Sequence, residues 1–514
     1  MAKWLDNAIF YEIYPQSFQD SNGDGIGDFN GILKRLDYIQ ELGCNAIWMN
    51  PCFVSPFYDA GYDVTDFYQA APRYGTNEDL KNLFQEVHKR GMHILLDLVA
   101  GHTSLECKWF LESCKPEKND YTNRFIWTHQ VWQGDDSIQG IHGWLRGISD
   151  REGAVATNCF STQPALNYGF GEVTEPWQHA ADSKEAEKGR LLLMDIMSFW
   201  IGMGCDGFRV DMAASLVKAD PGYKWTKLLW QKIRSWMDEA YPEAVLVSEW
   251  GNPSEALEAG FHMDFLLHTG ATHYMDLFRV NPYFSKKEEG DISEFVKVYK
   301  EMQERTYGKG LCCIPSGNHD MKRMRYTLDE EEMKLAFAFL LTMPGCPYIY
   351  YGDEIGMKYI DGMTSKEGGY DRTGSRTPMQ WDSTTNAGFS SAASKKLYLP
   401  IDPDSQRPTV EKQAGEPCSL LNMVKKLAAL RQAHTALQSH ARLSFLYAVP
   451  DAYPFIYKRH NEEETILVIL NPVGHSVSCN LEDVPGKVLL SYNGTARWNN
   501  GVLDVPACSF TICL

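Results

Sequence analysis

The chain has 514 residues, more than a single hydrophobic core usually holds, so two or three domains are expected. Its hydrophobic content of 44%, with 23% charged residues, is ordinary for a soluble globular protein. With 49 basic and 67 acidic residues the formal charge is −18, which argues against nucleic acid or an anionic membrane surface as a partner.

The cysteines and the N-terminal residues indicate the cellular compartment in which the protein is expected. The 13 cysteines show no C-x-x-C metal spacing, and an odd number in a long chain favours reduced thiols over a disulfide framework. Residues 1–6 contain no apolar stretch of the kind found in secretory signals. The most apolar run, residues 335–351, is interrupted by Pro344, Gly345 and Pro347, which favours a buried helix followed by a strand over a membrane span. We therefore expect a cytoplasmic protein with no membrane partner.

Apolar runs and helical patterns alternate along the first hundred residues. Residues 8–14, 44–49 and 93–99 are predicted strands, and residues 32–42 and 77–90 are predicted amphipathic helices. The third strand is nearly all apolar, as expected when both faces of a parallel sheet are buried. From residue 103 to residue 176 no periodicity persists. Because the alternation resumes afterwards, this segment is predicted to be an inserted subdomain.

The second half of the alternation completes a repeating pattern. Helices are predicted at 185–203, 225–240, 292–305, 330–341 and 420–433, and strands at 205–212, 244–250, 261–267, 311–315 and 347–351. Eight strand–helix units predict a closed (β/α)8 barrel. After about residue 439, runs at 465–470 and 487–490 predict a small antiparallel β-domain. The expected domains are the barrel in two parts (1–102 and 177–438), the inserted subdomain (103–176) and the β-domain (439–514).

Carboxylates recur at the ends of the predicted strands. The third strand ends near Asp97, the fourth at Asp211 and the fifth at Glu249, and Asp320 follows the seventh. Barrel enzymes place their catalytic groups at these C-terminal strand ends. Several carboxylates at one barrel mouth would destabilise the fold by mutual repulsion unless function required them. The pattern therefore favours an active site over a set of structural ion pairs.

Paired carboxylates of this kind suit the cleavage of a glycosidic bond, which needs one ionised nucleophile and one protonated acid. Arg209 lies on the same strand face as Asp211 and is expected to keep that carboxylate ionised. Glu249 is expected to be desolvated against the indole of Trp250 and to stay protonated. Asp320 would be a third carboxylate that grips substrate hydroxyls.

Four motifs resemble the characteristic regions of the α-amylase family of glycoside hydrolases. They are D-L-V-A-G-H at 97–102, G-F-R-V-D at 207–211, S-E-W at 248–250 and S-G-N-H-D at 316–320. An insertion after the third strand and a C-terminal β-domain are also features of that family. The resemblance implies a double displacement that retains the anomeric configuration. It implies a nucleophile, an acid/base and a transition-state stabiliser at Asp211, Glu249 and Asp320, and substrate-gripping roles for His102, Arg209 and His319.

Two further segments are similar to the oligo-1,6-glucosidase branch of the family: Q-P-A-L-N at 163–167 and G-S-R-T-P-M-Q-W at 374–381. In that branch an arginine four residues before the R of R-T-P pairs with an aspartate after the second strand, which here matches Arg372 and Asp63. Such a pair closes the pocket behind one terminal sugar, and Tyr62 would be the stacking platform for that sugar. The alternative for Arg372 is a solvated loop charge.

Three positions depart from the branch pattern. Ala165 replaces the signature aspartate, and Gly101 stands where the family usually has asparagine before His102. Met212 follows the nucleophile, where the branch usually has a smaller residue associated with linkage preference. The choice between α-1,4 and α-1,6 linkages is therefore left open.

Residues 20–28 carry oxygen-bearing side chains at alternate positions, a spacing that suits a hard cation. Position twelve of the segment is Gly31 rather than glutamate and no helix precedes it, so it is not an EF-hand. The segment resembles the calcium loop of the glucosidase branch. That resemblance implies a structural Ca²⁺ held by Asp20, Asn22, Asp24, the Ile26 carbonyl and Asp28. The alternative is a metal-free loop of Asx turns.

The expected activity is that of an exo-acting α-glucosidase on short malto- or isomalto-oligosaccharides, attacked from the non-reducing end. The same nucleophile and acid/base would also serve a glucosyltransferase, a glucoside isomerase or a sucrose phosphorylase, in which a sugar or phosphate replaces water. A non-catalytic relative, such as the family-like subunits of amino-acid transporters, would carry a membrane anchor and lack the full set of carboxylates. Neither feature fits this sequence.

Overall fold

Eight parallel strands form a closed barrel in the computed structural model, which describes residues 2–267, 272–482 and 485–514. Each strand pairs with its neighbours in chain order, the first strand also pairs with the eighth, and a bridge between Pro315 and Tyr348 closes the ring. The predicted (β/α)8 barrel is confirmed. The strands are β1 (Phe10–Ile13), β2 (Ala46–Met49), β3 (His93–Val99), β4 (Gly207–Asp211), β5 (Val245–Ser248), β6 (Met263–Phe265), β7 (Leu311–Cys313) and β8 (Tyr348–Tyr350).

Helical segments follow every barrel strand. In chain order they are Phe29–Lys34 with Leu36–Glu41, Asn77–Lys89, Lys184–Met203, Lys224–Ala240, Pro253–Glu258, Ser293–Thr306, Glu330–Thr342 and Leu420–Ala433. Shorter helices outside this series are Pro15–Phe18, Lys108–Ser113, Met275–Phe278 and Val410–Ala414.

Two helices differ from the sequence prediction. The helix predicted at 32–42 is two short helices, because Arg35 (φ −111°, ψ 6°) interrupts the helical backbone between them. Pro253–Glu258 was not predicted, since six residues are too few to show a helical period. Its start is nevertheless encoded locally, as the Asn252 side chain accepts a hydrogen bond from the Glu255 N–H.

Glycines lead the chain into the strand that bears Asp211. Gly204 (φ 121°) ends the helix Lys184–Met203. Gly207 begins β4 with φ 137°, and a Cβ atom there would lie 2.0 Å from the carbonyl oxygen of Val245. Only glycine therefore lets β4 lie this close to β5, which places Asp211 and Glu249 on neighbouring strand ends.

The segment between β3 and the helix Lys184–Met203 has its own small core. It contains an antiparallel hairpin, Gly143–Arg146 with Ala154–Thr157. It is tied to the barrel by a bridge between His102 and Ala165 and by the Tyr168 hydroxyl, which donates to the Ala100 carbonyl at 2.6 Å. The core residues are Ile126, Ile141, Trp144, Ala154, Ala156, Ala165, Phe170 and Trp177.

The predicted C-terminal β-domain is confirmed as two antiparallel sheets, ordered β9-β10-β11-β16-β13 and β12-β15-β14. Its aromatic residues pack on the barrel: Phe339 contacts the rings of Phe455 and Tyr457. The domain boundaries at 102, 176 and 438 stay predictions. The strands are β9 (Arg442–Tyr447), β10 (Phe455–His460), β11 (Thr465–Asn471), β12 (Val477–Asn480), β13 (Val488–Tyr492), β14 (Arg497–Asn499), β15 (Val502–Val505) and β16 (Ser509–Cys513).

The apolar run at 335–351 is the end of the buried helix Glu330–Thr342 followed by β8, as predicted. In the described parts of the chain, no helix has the length and apolar character needed to cross a membrane. All 13 cysteines are free thiols. The cytoplasmic location stays a prediction.

Candidate active site

Three of the predicted strand-end carboxylates converge on one arginine. Nη1 of Arg209 lies 2.9 Å from Asp97 Oδ1 and 2.9 Å from Asp211 Oδ1, and Nη2 lies 2.9 Å from Glu249 Oε1. The guanidinium is buried over the ring of Trp48, at 5.1 Å from the ring centroid. Arg209 thus holds the carboxylates of β3, β4 and β5 together.

Burial and the charge of Arg209 act on Asp211 in opposite directions. Burial raises the pKa of Asp211 well above its usual range and the charge of Glu249 adds to this, while Arg209 lowers it. That Arg209 keeps Asp211 ionised therefore stays a prediction. The two carboxyl groups are close enough for a hydrogen bond between them. A nucleophile and an acid at one site need one such group ionised and the other protonated.

The surroundings of Glu249 also differ from the prediction. Its Oε1 pairs with Arg209, and its Oε2 accepts the N–H of Met212 at 3.0 Å. Trp250 faces the other way and packs edge-on against Phe261. The predicted desolvation of Glu249 against the Trp250 indole is wrong, because consecutive residues of an extended chain point to opposite sides.

Asp320 lies in a cluster of cations. Nη1 of Arg372 and Nη2 of Arg376 are each 2.8 Å from its Oδ1, and Nε2 of His319 is 3.2 Å from its Oδ2. Burial works to raise the pKa of Asp320, but the charges of these three residues hold it well below its usual value. Asp320 is therefore a carboxylate at neutral pH, as the role predicted for it requires.

His319 is held as an imidazolium. Its Nδ1 donates to Glu12 Oε1 at 2.9 Å, and its Nε2 donates to the Tyr62 hydroxyl at 2.8 Å, which donates in turn to Asp97 Oδ2 at 3.0 Å. Burial lowers the pKa of His319, but Asp320 and Glu12 raise it to about 9. The Tyr62 ring, which lines the cavity, lies nearly parallel to the buried imidazole, with centroids 5.4 Å apart.

Of the two acids in the loop after the second barrel strand, Asp59 and not Asp63 meets Arg372. Nη2 of Arg372 lies 3.4 Å from Asp59 Oδ1. Asp63 is buried elsewhere, where its carboxylate accepts hydrogen bonds from Ser55 Oγ (3.0 Å) and from the N–H groups of Tyr58 (2.8 Å) and Asp59 (3.0 Å). The predicted Asp63–Arg372 pair is wrong, because Asp63 shapes the loop instead of facing the cavity.

A sharp turn separates these two acids. Ala60 (φ 50°) and Gly61 (φ 105°) both have left-handed backbones, so the chain reverses between Asp59 and Asp63. Gln163 of the insertion donates to Asp59 Oδ2 at 2.8 Å and fixes it toward the cavity. The sequence shows two acids around Gly61, but neither composition nor spacing says which one the turn directs inward.

His102 is neutral and fully hydrogen-bonded. Its Nε2 donates to the Tyr62 carbonyl oxygen at 2.9 Å, and its Nδ1 accepts from Asn158 Nδ2 at 3.2 Å. Burial lowers the pKa of His102 to about 4. Asn158 was not predicted as a site residue, since nothing in the irregular insertion marks which of its polar residues reach the barrel.

Six of the predicted residues line a cavity of about 150 Å³, enough for one sugar ring, whereas Asp63, Arg209 and His319 are not among the residues that line it. Arg372 and Asp59 pair in its wall, while Cys159 and Phe160 come from the insertion and had no sequence signal. The lining residues are Asp59, Tyr62, His102, Cys159, Phe160, Gln163, Asp211, Met212, Glu249, Asp320 and Arg372.

The predicted calcium loop is shaped by its own side chains. Asp20 and Asp28 are buried, and Asp20 accepts hydrogen bonds from three loop N–H groups and from the Ser390 hydroxyl. The donor set, three carboxylates with an amide and a carbonyl oxygen, suits a hard cation. However, nowhere in the described ranges are three Asp, Glu, His or Cys side chains grouped so that they could hold a metal ion. Calcium stays a prediction.

Comparison with known proteins agrees with this architecture. The family model described as "Alpha amylase, catalytic domain" matches residues 12–440. A probable oligo-1,6-glucosidase 2 of Bacillus subtilis is 31% identical over 91% of this chain and 90% of its own length. The trehalose synthase/amylase TreS of Mycolicibacterium smegmatis is 30% identical over 85% of this chain and 77% of its own length.

A solved structure shows the same fold over the whole chain. The trehalulose synthase MutB of Pseudomonas mesoacidophila superposes with a TM-score of 0.83 and 24% identity, over 100% of this chain and 99% of that one. The family match, the relatives and the assembled carboxylates together establish an enzyme that acts on glycosides. The chain therefore belongs to the α-amylase family, in its oligo-1,6-glucosidase-like branch.

Proposed function

We propose that this enzyme is a retaining, exo-acting α-glucosidase that releases glucose from the non-reducing end of short α-glucosides. The observation that carries the proposal is the position of Arg372, which contacts both Asp59 and Asp320 in the wall of the cavity. The cavity that Arg372 lines together with Asp211 and Glu249 has space for one sugar ring. A chain bound through its middle would have to pass through Arg372, whereas a terminal sugar fits in front of it.

The arrangement of carboxylates supports a double displacement. Asp211 attacks the anomeric carbon while Glu249 gives its proton to the departing oxygen, which leaves a covalent glucosyl-enzyme. Glu249 then removes a proton from water, whose oxygen takes the anomeric carbon from Asp211. Retaining glycosidases have close carboxyl groups with no water between them, and here both carboxyl groups pair with Arg209, each at 2.9 Å.

The cations around the cavity stabilise the charge that develops during these steps. Asp320, ionised beside His319, Arg372 and Arg376, is placed to accept hydrogen bonds from the hydroxyls of the bound sugar. Such bonds strengthen when the sugar ring becomes cationic, so they favour the transition state over the ground state. The ring of Tyr62, which lines the cavity, offers the sugar ring a stacking face.

The names of similar proteins support a small α-glucoside as substrate. Relatives are named oligo-1,6-glucosidase in Parageobacillus thermoglucosidasius and maltase A2 in Drosophila melanogaster. Structures of the same fold contain sucrose, isomaltulose or glucose. We therefore expect a disaccharide or a short oligosaccharide rather than a polymer.

Isomerisation or glucosyl transfer is the second candidate. It is favoured by the similarity to a trehalose synthase/amylase. In that case the same glucosyl-enzyme would be released by a sugar hydroxyl instead of water, and the step at Asp211 would be unchanged. The choice depends on how well a leaving sugar is retained beside the cavity.

A substrate panel decides between the two. The enzyme is incubated separately with maltose, isomaltose, sucrose and trehalose, with inorganic phosphate present, and free glucose, rearranged disaccharide and glucosyl phosphate are quantified by chromatography. We expect free glucose as the main product, released first as the α-anomer in ¹H NMR. A rearranged disaccharide or a glucosyl phosphate as the main product contradicts the hydrolase, and a β-anomer contradicts the retaining mechanism.

A further inference from the structure

Asn158 fills the space beside Gly101 at the wall of the cavity. It follows the insertion strand Ala154–Thr157 and is fully buried. A Cβ atom on Gly101 would lie 2.6 Å from Asn158 Nδ2 and 3.2 Å from its Cγ. The backbone of Gly101 is outside the left-handed region, so this contact, and not backbone strain, is what requires glycine.

Lys218 determines which way the Asn158 amide faces. Its Nζ lies 2.6 Å from Asn158 Oδ1 and is fully buried, and the Ser215 hydroxyl lies 3.3 Å from the same oxygen. Burial lowers the pKa of Lys218 to about 7, and below that pH the group is an ammonium that only donates, so the amide oxygen must then face Lys218. The amide NH₂ must then face His102, 3.2 Å away.

The amide in turn determines the tautomer of His102. Because Asn158 Nδ2 donates, His102 Nδ1 must accept, and the single ring proton of the neutral imidazole is on Nε2. That proton is directed at the Tyr62 carbonyl oxygen, 2.9 Å away at the edge of the cavity. One chain of oriented hydrogen-bond donors thus runs from the buried Lys218 through Asn158 to His102 at the sugar cavity.

We propose that Asn158 is a positioning residue that holds the ring and the tautomer of His102, doing from the insertion what an amide side chain at position 101 would do from the barrel. The inference rests on the proposed function, because it assigns His102 to the wall that receives the terminal glucose. It predicts that the amide, and not merely its volume, is needed, and that the amide works equally well when it is supplied from position 101.

Variants that remove the amide from position 158 and supply it at position 101 test this proposal. Asn158→Ala, Gly101→Asn and the double variant are compared by kcat and KM on 4-nitrophenyl α-D-glucopyranoside and by Tm. We expect each single variant to lose about ten- to hundredfold in kcat/KM. Asn158→Ala loses the hydrogen bonds of the amide, and Gly101→Asn clashes with Asn158. The double variant is expected to recover most of that loss. The matched control, Gly101→Ala with Asn158→Ala, relieves the same clash without an amide and is expected to stay low.

A spectroscopic readout separates positioning from packing. In ¹⁵N-histidine-labelled protein, the His102 signal is assigned by its loss in His102→Gln, and its Nδ1 is expected to resonate as an unprotonated nitrogen. Asn158→Asp keeps a partner for Lys218 but presents an acceptor to Nδ1, so that nitrogen is expected to become protonated. If Asn158→Ala fails to fold, the wild type and Asn158→Asp still provide this comparison.

The proposal is overturned if Asn158→Ala keeps wild-type kcat/KM, if the double variant is no better than its alanine control, or if Nδ1 is protonated in the wild type. A wild-type enzyme that acts on no α-glucoside would instead remove the proposed function. The nitrogen signal of His102 would then still test the role of Asn158.

Discussion

At the scale of single residues, the site separates its carboxylates by the cations that each one meets. Asp320 is surrounded by three positive groups and stays ionised, whereas Asp211 and Glu249 share Arg209, and burial raises the pKa of Asp211. The ionised Asp320 and the Asp211–Glu249 pair therefore suit different tasks. The first binds hydroxyls, and the second can supply a nucleophile and an acid in turn.

Glu249→Gln and Asp211→Asn are expected to fail at different steps. Glu249→Gln should lose about 10²- to 10⁴-fold on maltose, whose leaving group needs a proton, but should still show a rapid burst with 2,4-dinitrophenyl α-glucoside, whose leaving group needs none. Asp211→Asn should lose at least about 10⁴-fold on both substrates, because no covalent intermediate forms. Stopped-flow release of the phenolate measures the reaction of the aryl glucoside, and released glucose measures that of maltose. A Glu249→Gln enzyme equally impaired on the two substrates would contradict the role of Glu249 as acid.

Substitution of Asp59 is expected to affect activity, and substitution of Asp63 is expected to affect stability. Asp59→Asn should lower kcat/KM on maltose about tenfold or more with little change in Tm, because it weakens the contact with Arg372 at the sugar cavity. Asp63→Asn should mainly lower Tm, since buried N–H groups of the loop lose a carboxylate acceptor, at a cost of about 1–3 kcal/mol. Each variant is the control for the other. If Asp63→Asn lowered kcat/KM and Asp59→Asn mainly lowered Tm, Asp63 would be the partner of Arg372.

The strand-end residues were predictable from the sequence, while their neighbours on loops were not. Parallel strands of a barrel end at one mouth, so Asp211 and Glu249 had to be close wherever the helices lay. Asp59 and Asn158 depend on a left-handed turn and on the fold of an irregular insertion, neither of which has a periodic signal. The raised pKa of Asp211 depends on burial, which strand order alone does not define.

At the scale of elements, Glu354 ties the end of the barrel to its beginning. It lies just after β8, and its Oε1 accepts hydrogen bonds from Tyr11 of β1 at 2.8 Å and from Tyr38 of the helix Leu36–Glu41 at 2.7 Å. The carboxyl group is fully buried, and its Oε2 has no hydrogen-bond partner among the described residues. Burial raises the pKa of Glu354 from 4.5 to about 7.

This shift makes stability depend on pH in a defined direction. Between pH 4.5 and about 7 the folded protein keeps a proton on Glu354 that the unfolded chain releases, so the free energy of unfolding falls as pH rises through this window, by about 3 kcal/mol at most. Below it both states are protonated, and above it both are ionised. Glu354→Gln is expected to flatten the change of Tm between pH 4.5 and about 7 measured by calorimetry. A variant whose Tm follows pH as steeply as the wild type would rule out this group as the cause.

The calcium loop offers a second test at this scale. We propose that calcium binds residues 20–28, so CaCl₂ should raise Tm and EDTA should lower it, because a ligand that binds only the folded state stabilises it by mass action. Asp24→Ala should abolish the response, while Asp136→Ala, an exposed acid of the insertion, should keep it. A wild-type Tm independent of calcium would leave the loop as a set of Asx turns.

Boundaries of elements were less predictable than their existence. The alternation of strands and helices was readable because buried strands and amphipathic helices have different periods. The break at Arg35 and the short helix Pro253–Glu258 depend on the backbone of one residue or on a single cap, and these leave little trace in a hydrophobic pattern.

At the scale of the whole molecule, the barrel and the β-domain share a core and a set of buried arginines. Arg431 of the last barrel helix donates to the Leu341 carbonyl at 3.0 Å and to the Met343 carbonyl at 2.8 Å. Arg459 of β10 donates to the Thr342 carbonyl. The C-terminal end of the helix Glu330–Thr342 is thus capped by one cation from each domain, which also suits the helix dipole. The sequence indicates a barrel and a β-domain, but no local feature of the sequence shows that the stability of one depends on the other.

This shared cap predicts that the two domains unfold together. Arg459→Leu removes the partner of several buried carbonyl groups, among them that of Gln438 at 2.6 Å, and should cost about 3 kcal/mol or more. Because the lost contacts join both domains, calorimetry should show one transition for the wild type and one, at lower temperature, for the variant. Arg442→Leu, an exposed arginine at the start of β9, should leave Tm nearly unchanged. Two separate transitions in Arg459→Leu, with the barrel unaffected, would mean that the barrel is stable without the β-domain.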